Sequence, residues 1–188
     1  QFRMRKPIAE VVSTAFYAGA LRTSPSTEVA HGLQKPGVVA GRPLVWLNTH
    51  GLPGYEEKRR WKNEGEAKLL GALLASFGAD ALALPVDADE SPLAILSPYR
   101  QQNKLLEGIL PRDFHRFIHT VDSFQGGQAH VVLVSLVRTN PFSADEDPLR
   151  AIGHLARADR VNVMLSRARR LEVIVGDFEH FAGSATPF

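Results

Sequence analysis

Residues 159–177 read DRVNVMLSRARRLEVIVGD and predict a helix that leads directly into a strand. Asp159 can cap the helix, because its carboxylate can accept hydrogen bonds from the N–H groups of the first turn. The apolar residues then recur at three- and four-residue spacing, which is typical of a helix with one buried face: Val161, Met164, Leu165 and Ala168. Residues 171–175 predict a buried parallel strand. This order of elements is typical of an α/β domain.

Two arginines, Arg167 and Arg169, lie near the end of the predicted helix. Side chains two residues apart on a helix point in different directions, so the pair would not form one basic stripe. Such an arrangement suits one bound anion and one structural carboxylate. The simpler interpretation is that both arginines interact favourably with the helix macrodipole, and their spacing alone favours it.

The composition indicates one domain without a membrane-spanning segment. The chain has 188 residues, 44% of them apolar, which is enough for a sizeable core. We find no run of about 18–20 apolar residues that could cross a membrane, and no signal segment. With no cysteine, thiolate metal sites and disulfides are excluded, and we predict no metal site. We therefore expect no membrane partner and an intracellular protein, cytoplasmic or, in a eukaryote, nuclear.

Further apolar runs predict the other strands of a parallel sheet: residues 44–47, 93–96, 118–121 and 131–137. A helix is predicted from Asn63 to Phe77, with Asn63 and Glu66 as a reciprocal capping box. Ser97 follows one of the strands and precedes another helix. Ligands of open parallel sheets bind at the carboxyl ends of strands, and a helix N-terminus can hold a phosphate, so Ser97 is a candidate anion contact.

The double glycine Gly126-Gly127 lies between two predicted strands. It could let the backbone approach a ligand closely or simply form a turn, and by itself it indicates the turn.

The string NVMLSRAR at residues 162–169 closely resembles the last motif of superfamily 1B helicases of the nonsense-mediated-decay and senataxin type. Four other strings resemble further motifs of that family: QFRM at 1–4, SPYRQQ at 97–102, VDSFQGG at 121–127 and SLVRTN at 135–140. The resemblance therefore covers nearly the whole chain. It implies an α/β, RecA-like domain of the P-loop NTPase type, with a mostly parallel sheet between two layers of helices, over residues 1–188.

The resemblance also implies roles for individual residues. It implies two catalytic arginines on the γ-phosphate of ATP, Arg3 and Arg167. It implies four nucleotide-binding residues: Phe2, Gly126, Gln128 and Arg169. It implies four contacts with single-stranded nucleic acid: Ser97, Pro98, Thr120 and Arg138.

Two positions depart from the family pattern. The family's glutamate, which binds the nucleotide ribose, is Gln128 here, and a following aspartate is His130. Glutamine keeps an accepting carbonyl and gains an NH₂ donor, so a ribose contact is still expected. The loss of negative charge, however, leaves open what orients Arg167 or Arg169.

The sequence lacks the glycine-rich phosphate loop and the carboxylate pair that a complete motor uses for ATP and magnesium. We therefore expect a fragment of a longer protein, the second RecA-like domain of a helicase. ATP with Mg²⁺ would be held mainly by an N-terminal RecA-like domain outside this chain, and single-stranded DNA or RNA would be the other partner. The alternative is a non-catalytic module that binds nucleic acid or protein and was derived from the helicase fold.

Overall fold

A computed structural model describes residues 4–25, 33, 36–77, 90–142 and 146–182. Within these residues, five strands form one sheet in the order β1-β5-β4-β2-β3, and each pair of neighbouring strands is parallel. The strands are β1 (Leu44–Asn48), β2 (Ser91–Ser97), β3 (Ile118–Thr120), β4 (Ala129–Ser135) and β5 (Ala168–Gly176). The predicted α/β fold with a parallel sheet is confirmed.

Helices cover both faces of this sheet. In chain order they are α1 (Lys6–Tyr17), α2 (Glu64–Phe77), α3 (Arg100–Ile109), α4 (Arg112–His115), α5 (Pro148–Ile152), a 3₁₀ helix (Gly153–Ala156), α6 (Ala158–Leu165) and α7 (Phe178–Ala182). Successive strand residues point to opposite faces. Val132 and Val134 therefore pack with α1, α5 and α6, whereas Val131 and Leu133 pack with α2 and α3. The result is three layers, as predicted.

The boundary between α6 and β5 differs from the prediction. Helix α6 ends at Leu165, and Ala168 already belongs to β5, where it aligns with Ala129 of β4. The N–H of Ala129 donates to the carbonyl of Arg167 at 3.1 Å, so sheet pairing extends the backbone at this point. Asp159 does not cap α6; it lies in the first turn and pairs with Arg157 at 2.9 Å.

Strand β5 contains a carboxyl group inside the segment predicted as a buried strand. Glu172 is fully buried and aligns with Leu44 of β1 and Val132 of β4. Among the described residues neither of its carboxyl oxygens has a hydrogen-bond partner. Burial raises the pKa of Glu172 well above its ordinary value, because an apolar environment disfavours the charged form.

Asn63 and Glu66 form half of the predicted capping box. The Asn63 side-chain oxygen accepts from the Glu66 N–H at 3.0 Å, but the Asn63 N–H donates to Gln102 at 2.9 Å instead of to Glu66. The Glu66 carboxyl group accepts from the Ser135 hydroxyl at 2.6 Å and from the Val137 N–H at 3.0 and 3.1 Å. Glu66 therefore connects α2 to the end of β4.

This connection also ends β4 two residues before the predicted end. Val137 has a φ of 76°, a conformation that is strained for a β-branched residue, and cannot continue the strand. The carboxyl group of Glu66 holds Val137 there through its N–H.

Candidate functional site

The described site residues separate onto two opposite edges of the sheet. Since the strands are parallel, their amino ends share one edge and their carboxyl ends share the other. The residues predicted to contact the nucleotide lie at or just before the amino ends of β4 and β5: Gly126, Gln128, Arg167 and Arg169. Those predicted to contact nucleic acid follow or end β2, β3 and β4: Ser97, Pro98, Thr120 and Arg138.

Arg167 lies in the short connection between α6 and β5 and is half-buried. Its Nε donates to the Val163 carbonyl at 2.8 Å, one terminal nitrogen donates to the Gly127 carbonyl at 3.2 Å, and the other donates to the Ser166 hydroxyl at 2.7 Å. These contacts fix the orientation of the side chain. They hold the guanidinium group at the amino edge, beside the double glycine.

The double glycine forms a turn, as the simpler interpretation predicted. Gly126 is exposed and has a φ of 87°, a left-handed conformation that glycine adopts without strain. Among the described residues, no atom outside Gly126 and its two chain neighbours lies within 4 Å of the position that a Cβ of Gly126 would take, so the turn presents bare backbone at the amino edge. The turn also directs the Gly127 carbonyl at Arg167.

A carboxylate that sequence analysis missed lies in the middle of this edge. Glu90 directly precedes β2, and its side chain is only 4% exposed. It accepts from Gln128 Nε2 at 3.3 Å, contacts His130 Nε2 at 2.7 Å and forms an ion pair with Arg169. The two positions that depart from the family pattern therefore surround a carboxylate from a neighbouring strand.

Glu90 had no signal of its own in the sequence, since it lies 38 residues before Gln128 and outside every motif. The indirect signal was that Gln128 and His130 both replace an acidic residue of the family motif. A half-buried arginine such as Arg169 is stabilised by a negative partner, and the parallel pairing of β2 with β4 brings one.

Phe2 and Arg3 lie outside the described residues. The described chain begins at Met4, which is buried in the core, and the Arg5 N–H donates to the Arg169 carbonyl at 3.1 Å. The chain immediately after Arg3 is therefore bonded to the amino end of β5.

At the carboxyl edge, Ser97 and Thr120 align with each other in the register of β2 and β3. Ser97 is fully buried, and its hydroxyl accepts from the Tyr99 N–H at 3.3 Å. Thr120 is half-buried and exchanges hydrogen bonds with Ser123, including Thr120 N–H to the Ser123 hydroxyl at 2.9 Å. Both side chains shape the ends of their strands, and the half-buried Pro98 follows Ser97 directly.

Arg138 is largely buried at the carboxyl edge, and its contact with nucleic acid stays a prediction. It is 5% exposed, and its Nε lies 3.1 Å both from a carboxylate oxygen of Glu57 and from the Ala151 carbonyl. A terminal nitrogen donates to the Arg150 carbonyl. Arg138 therefore connects the end of β4 to α5 and to the loop before α2.

Within the described residues, one group could hold a metal ion: His50, Asp177 and Glu179, whose ligand atoms lie within 4.8 Å of one another. His50 Nδ1 lies 2.9 Å from a carboxylate oxygen of Asp177, and this hydrogen bond explains the arrangement. Asp177 is 127 residues from His50 in the chain, so no local spacing in the sequence indicates this contact. We assign no metal to the group.

None of the helices in the described part of the chain combines the length and apolar character needed to cross a membrane.

Comparisons with known proteins agree with the motif analysis. The family model AAA_12, described as an AAA domain, matches residues 1–179. The human protein named DNA replication ATP-dependent helicase/nuclease DNA2 is 33% identical in an alignment 138 residues long that covers 71% of this chain and 12% of that protein. DNA-binding protein SMUBP-2 of Rattus norvegicus is 32% identical in an alignment 190 residues long, gaps included, that covers 94% of this chain and 18% of that protein.

A plant protein is similar over the same region. The regulator of nonsense transcripts 1 homolog of Arabidopsis thaliana is 27% identical in an alignment 188 residues long, gaps included, that covers 94% of this chain and 14% of that protein. The chain thus spans between 12% and 18% of the length of these three curated relatives.

Proposed function

The chain belongs to the AAA_12 family of AAA domains, within the superfamily 1 helicases, and from this premise we propose that it is the second motor domain of an ATP-dependent helicase. In this proposal the amino edge of the sheet faces ATP that is bound mainly by an N-terminal RecA-like domain. The carboxyl edge contacts single-stranded DNA or RNA. We call the two domains together the intact motor.

The position of Arg167 is the observation that carries the proposal. Its side chain is held by three hydrogen bonds at the amino edge, beside a turn of bare backbone at Gly126. An arginine in this position would neutralise the negative charge that develops on the transferred phosphoryl group. We propose Arg3 as the second such arginine, and the bond between the Arg5 N–H and the Arg169 carbonyl supports this, since it ties the chain just after Arg3 to the same edge.

Other residues of the amino edge would bind the nucleotide or hold this edge in position. The Nε2 of Gln128 donates to Glu90, so its carbonyl oxygen is directed away from that bond and suits a ribose hydroxyl. Gly126 would let the nucleotide approach the backbone, and Phe2 would lie against adenine. Arg169 pairs with Glu90, so we propose that it positions this edge and approaches the nucleotide only from within that ion pair.

We propose that ATP with Mg²⁺ is shared between this edge and the N-terminal domain. The donor set of this chain is cationic and amide-rich, which suits phosphate and ribose, while magnesium prefers carboxylate and water ligands. We therefore propose that the N-terminal domain holds the ion, which would polarise the phosphates when bound. The role of this chain would be to orient the guanidinium groups and to exclude water from the cleft between the two domains.

At the carboxyl edge we propose backbone contacts with the strand around Ser97, Pro98 and Thr120. The α3 N-terminus follows Pro98 and favours a phosphate through its N–H groups. Arg138 would stabilise this edge through its bonds to Glu57 and Ala151. Such contacts sense phosphates, so binding should weaken with salt and depend little on sequence.

The purified 188-residue chain is expected to show no ATP turnover, with or without a single-stranded oligonucleotide, because arginines that act on a transferred phosphoryl group need the nucleotide to be held. Phosphate release measured at saturating ATP tests this. The intact motor, assayed in parallel, should hydrolyse ATP and serves as the positive control. Turnover by the isolated chain would refute the proposed division of labour.

The alternative, a non-catalytic binding module, rested on Gln128 and His130 as signs of a decayed nucleotide site. Glu90 favours the motor instead, since it supplies a carboxylate to Arg169 at the place where the family motif has lost its own.

Replacing Glu90 by glutamine is expected to lower the free energy of unfolding by about 1–3 kcal/mol, because it removes the carboxylate that pairs with both Arg169 and the buried His130. Urea denaturation of the chain measures the loss. Glu107→Gln on the exposed side of α3 removes the same charge and should change stability by less than about 0.5 kcal/mol.

A rescue variant distinguishes this role from general packing. Gln128→Glu combined with His130→Asp in the Glu90→Gln background restores the acids of the family motif beside Arg169. If this triple variant is no more stable to urea than Glu90→Gln alone, Glu90 does not take the place of the acids of the family motif.

A further inference from the structure

We propose that a cavity at the carboxyl edge, between Trp61 and Phe142, takes one unstacked nucleobase of the bound strand. The inference rests on the proposed function, since it assumes that single-stranded nucleic acid follows this edge. The cavity has a volume of about 490 Å³, and six of the residues that form it carry the argument: Trp61, Tyr99, Arg138, Phe142, Arg150 and Gly153.

Trp61 forms one wall and is unusually exposed for a tryptophan, at 49%. It lies at the tip of a turn in which Arg60 has a φ of 65° and Trp61 a φ of 56°. Left-handed conformations cost free energy for residues other than glycine, and they persist only where the surrounding structure enforces them. Here the Lys58 N–H donates to the Lys62 carbonyl at 2.7 Å and closes the turn.

The ring of Trp61 rests on a rigid base. It stacks on the ring of Tyr99, with 5.7 Å between centroids and an interplanar angle of 28°. Tyr99 is itself 3% exposed, and its hydroxyl donates to the Ile152 carbonyl at 3.3 Å. The indole is thus held at the surface in one orientation, which lowers the entropy cost of binding a flat ligand against it.

Phe142 and Arg150 also line the cavity. Phe142 is 39% exposed, and the guanidinium carbon of Arg150 lies 3.7 Å from the centre of its ring. Aromatic rings and arginine planes are the surfaces on which proteins stack the unpaired bases of single strands. Two such surfaces therefore face one cavity.

The Gly153 backbone, the Tyr99 hydroxyl and Arg138 lie together in the lining of the cavity, and we call them its floor. Gly153 has a φ of 58°, and a Cβ at this position would overlap the Tyr99 hydroxyl and approach Arg138, so a larger residue would disturb the floor. Arg138 is neutralised by Glu57, so the floor adds polar edges without a net charge. Polar edges of this kind can bond the edge of a base.

The surroundings favour nucleic acid over an apolar protein segment. A second cavity shares Trp61 and adds three cationic side chains, Lys58, Arg59 and Arg60, at the same turn. On the other side, Tyr99 follows Ser97 and Pro98, where we propose that the strand passes. A base in the first cavity would therefore have its phosphates between a basic turn and the proposed path.

The test compares two oligonucleotides of equal length in the intact motor without ATP, one of thymidine nucleotides and one of abasic sites. Fluorescence anisotropy gives the dissociation constants. Trp61→Ala should weaken binding of the thymidine oligonucleotide about 10-fold, the size expected for the loss of one stacked base, and leave the abasic one unchanged. Trp61→Phe should keep most of the affinity. Phe142→Ala, which removes another aromatic ring that lines the cavity, should also weaken binding of the thymidine oligonucleotide and leave the abasic one unchanged.

Tyr17→Ala is the matched control, because Tyr17 is an equally exposed aromatic residue, at 46%, that lines neither cavity. If the wild-type motor binds neither oligonucleotide, the proposed nucleic-acid function itself is wrong. If it binds both and Trp61→Ala changes neither constant, or weakens both equally, only the base cavity is overturned. A thermal melt of each variant shows that it is folded.

Discussion

Replacing Arg167 by alanine in the intact motor is expected to lower ATP turnover by about 10³-fold or more, while ATP still binds. An arginine that contacts the transferred phosphoryl group stabilises charge that is larger in the transition state than in the ground state, so its loss lowers kcat more than it raises KM. The three hydrogen bonds that orient Arg167 would be lost with it, and they are made to backbone carbonyls and a hydroxyl at the surface of the domain. We therefore expect the fold to survive.

Two further variants make the result specific. Arg167→Lys keeps a positive charge but loses the planar fork of donors, so it should recover only a small part of the activity. Arg112→Ala removes an exposed arginine of α4 and should leave turnover unchanged. Steady-state phosphate release and nucleotide binding are both measured. Hydrolysis by Arg167→Ala at the wild-type rate would remove the assigned role.

Replacing Glu66 by alanine is expected to lower the free energy of unfolding by about 3–5 kcal/mol, because each buried donor that loses its acceptor costs about 1–3 kcal/mol and the removed side chain leaves a cavity. The Glu66 side chain is fully buried and accepts hydrogen bonds from Ser135, Val137 and Asn63. Alanine would leave the Ser135 hydroxyl and the Val137 N–H without this acceptor in the core, whereas the Asn63 amide keeps its bond to the Tyr55 carbonyl. Urea denaturation measures the loss.

Glu64→Ala is the matched control, because Glu64 lies in the same first turn but is exposed at the surface, where it pairs with Lys58 at 3.0 Å. Exposed pairs of this kind contribute little, so a change below about 1 kcal/mol is expected. A loss as large for Glu64→Ala as for Glu66→Ala would show that the effect belongs to the helix terminus and not to the buried network.

The same network should make stability depend on pH. Burial raises the pKa of Glu66 from its ordinary value of 4.5 to about 8, against the opposing effect of its hydrogen bonds with Ser135 and Val137. The folded chain therefore keeps this proton up to about pH 8, whereas the unfolded chain releases it near pH 4.5. The free energy of unfolding should fall as the pH rises through this window, and the raised pKa of Glu172 acts in the same direction. Glu66→Gln, which cannot titrate, should have a shallower slope.

Local patterns in the sequence determined much of the fold. Apolar runs identified the core of each described strand, and three- and four-residue spacing identified α2 and α6, because burial on one face or both imposes these periods. Arg167 was predicted near the end of a helix, and it lies in the short connection that follows this helix. What the local patterns could not fix was the boundary itself, since Ala168 is compatible with a helix and with a strand until β4 pairs with it.

The partners of the charged residues were decided only by the tertiary structure. Arg169 meets Glu90 because β2, β4 and β5 are neighbours, Glu66 turns from its predicted capping role to Ser135 and Val137, and Arg138 is buried against Glu57. The sequence by itself determined which segments are buried and which motifs they carry, because burial leaves a local periodicity. Pairing between residues distant in the chain leaves none, so the choice of partners depends on which strand ends the sheet brings together.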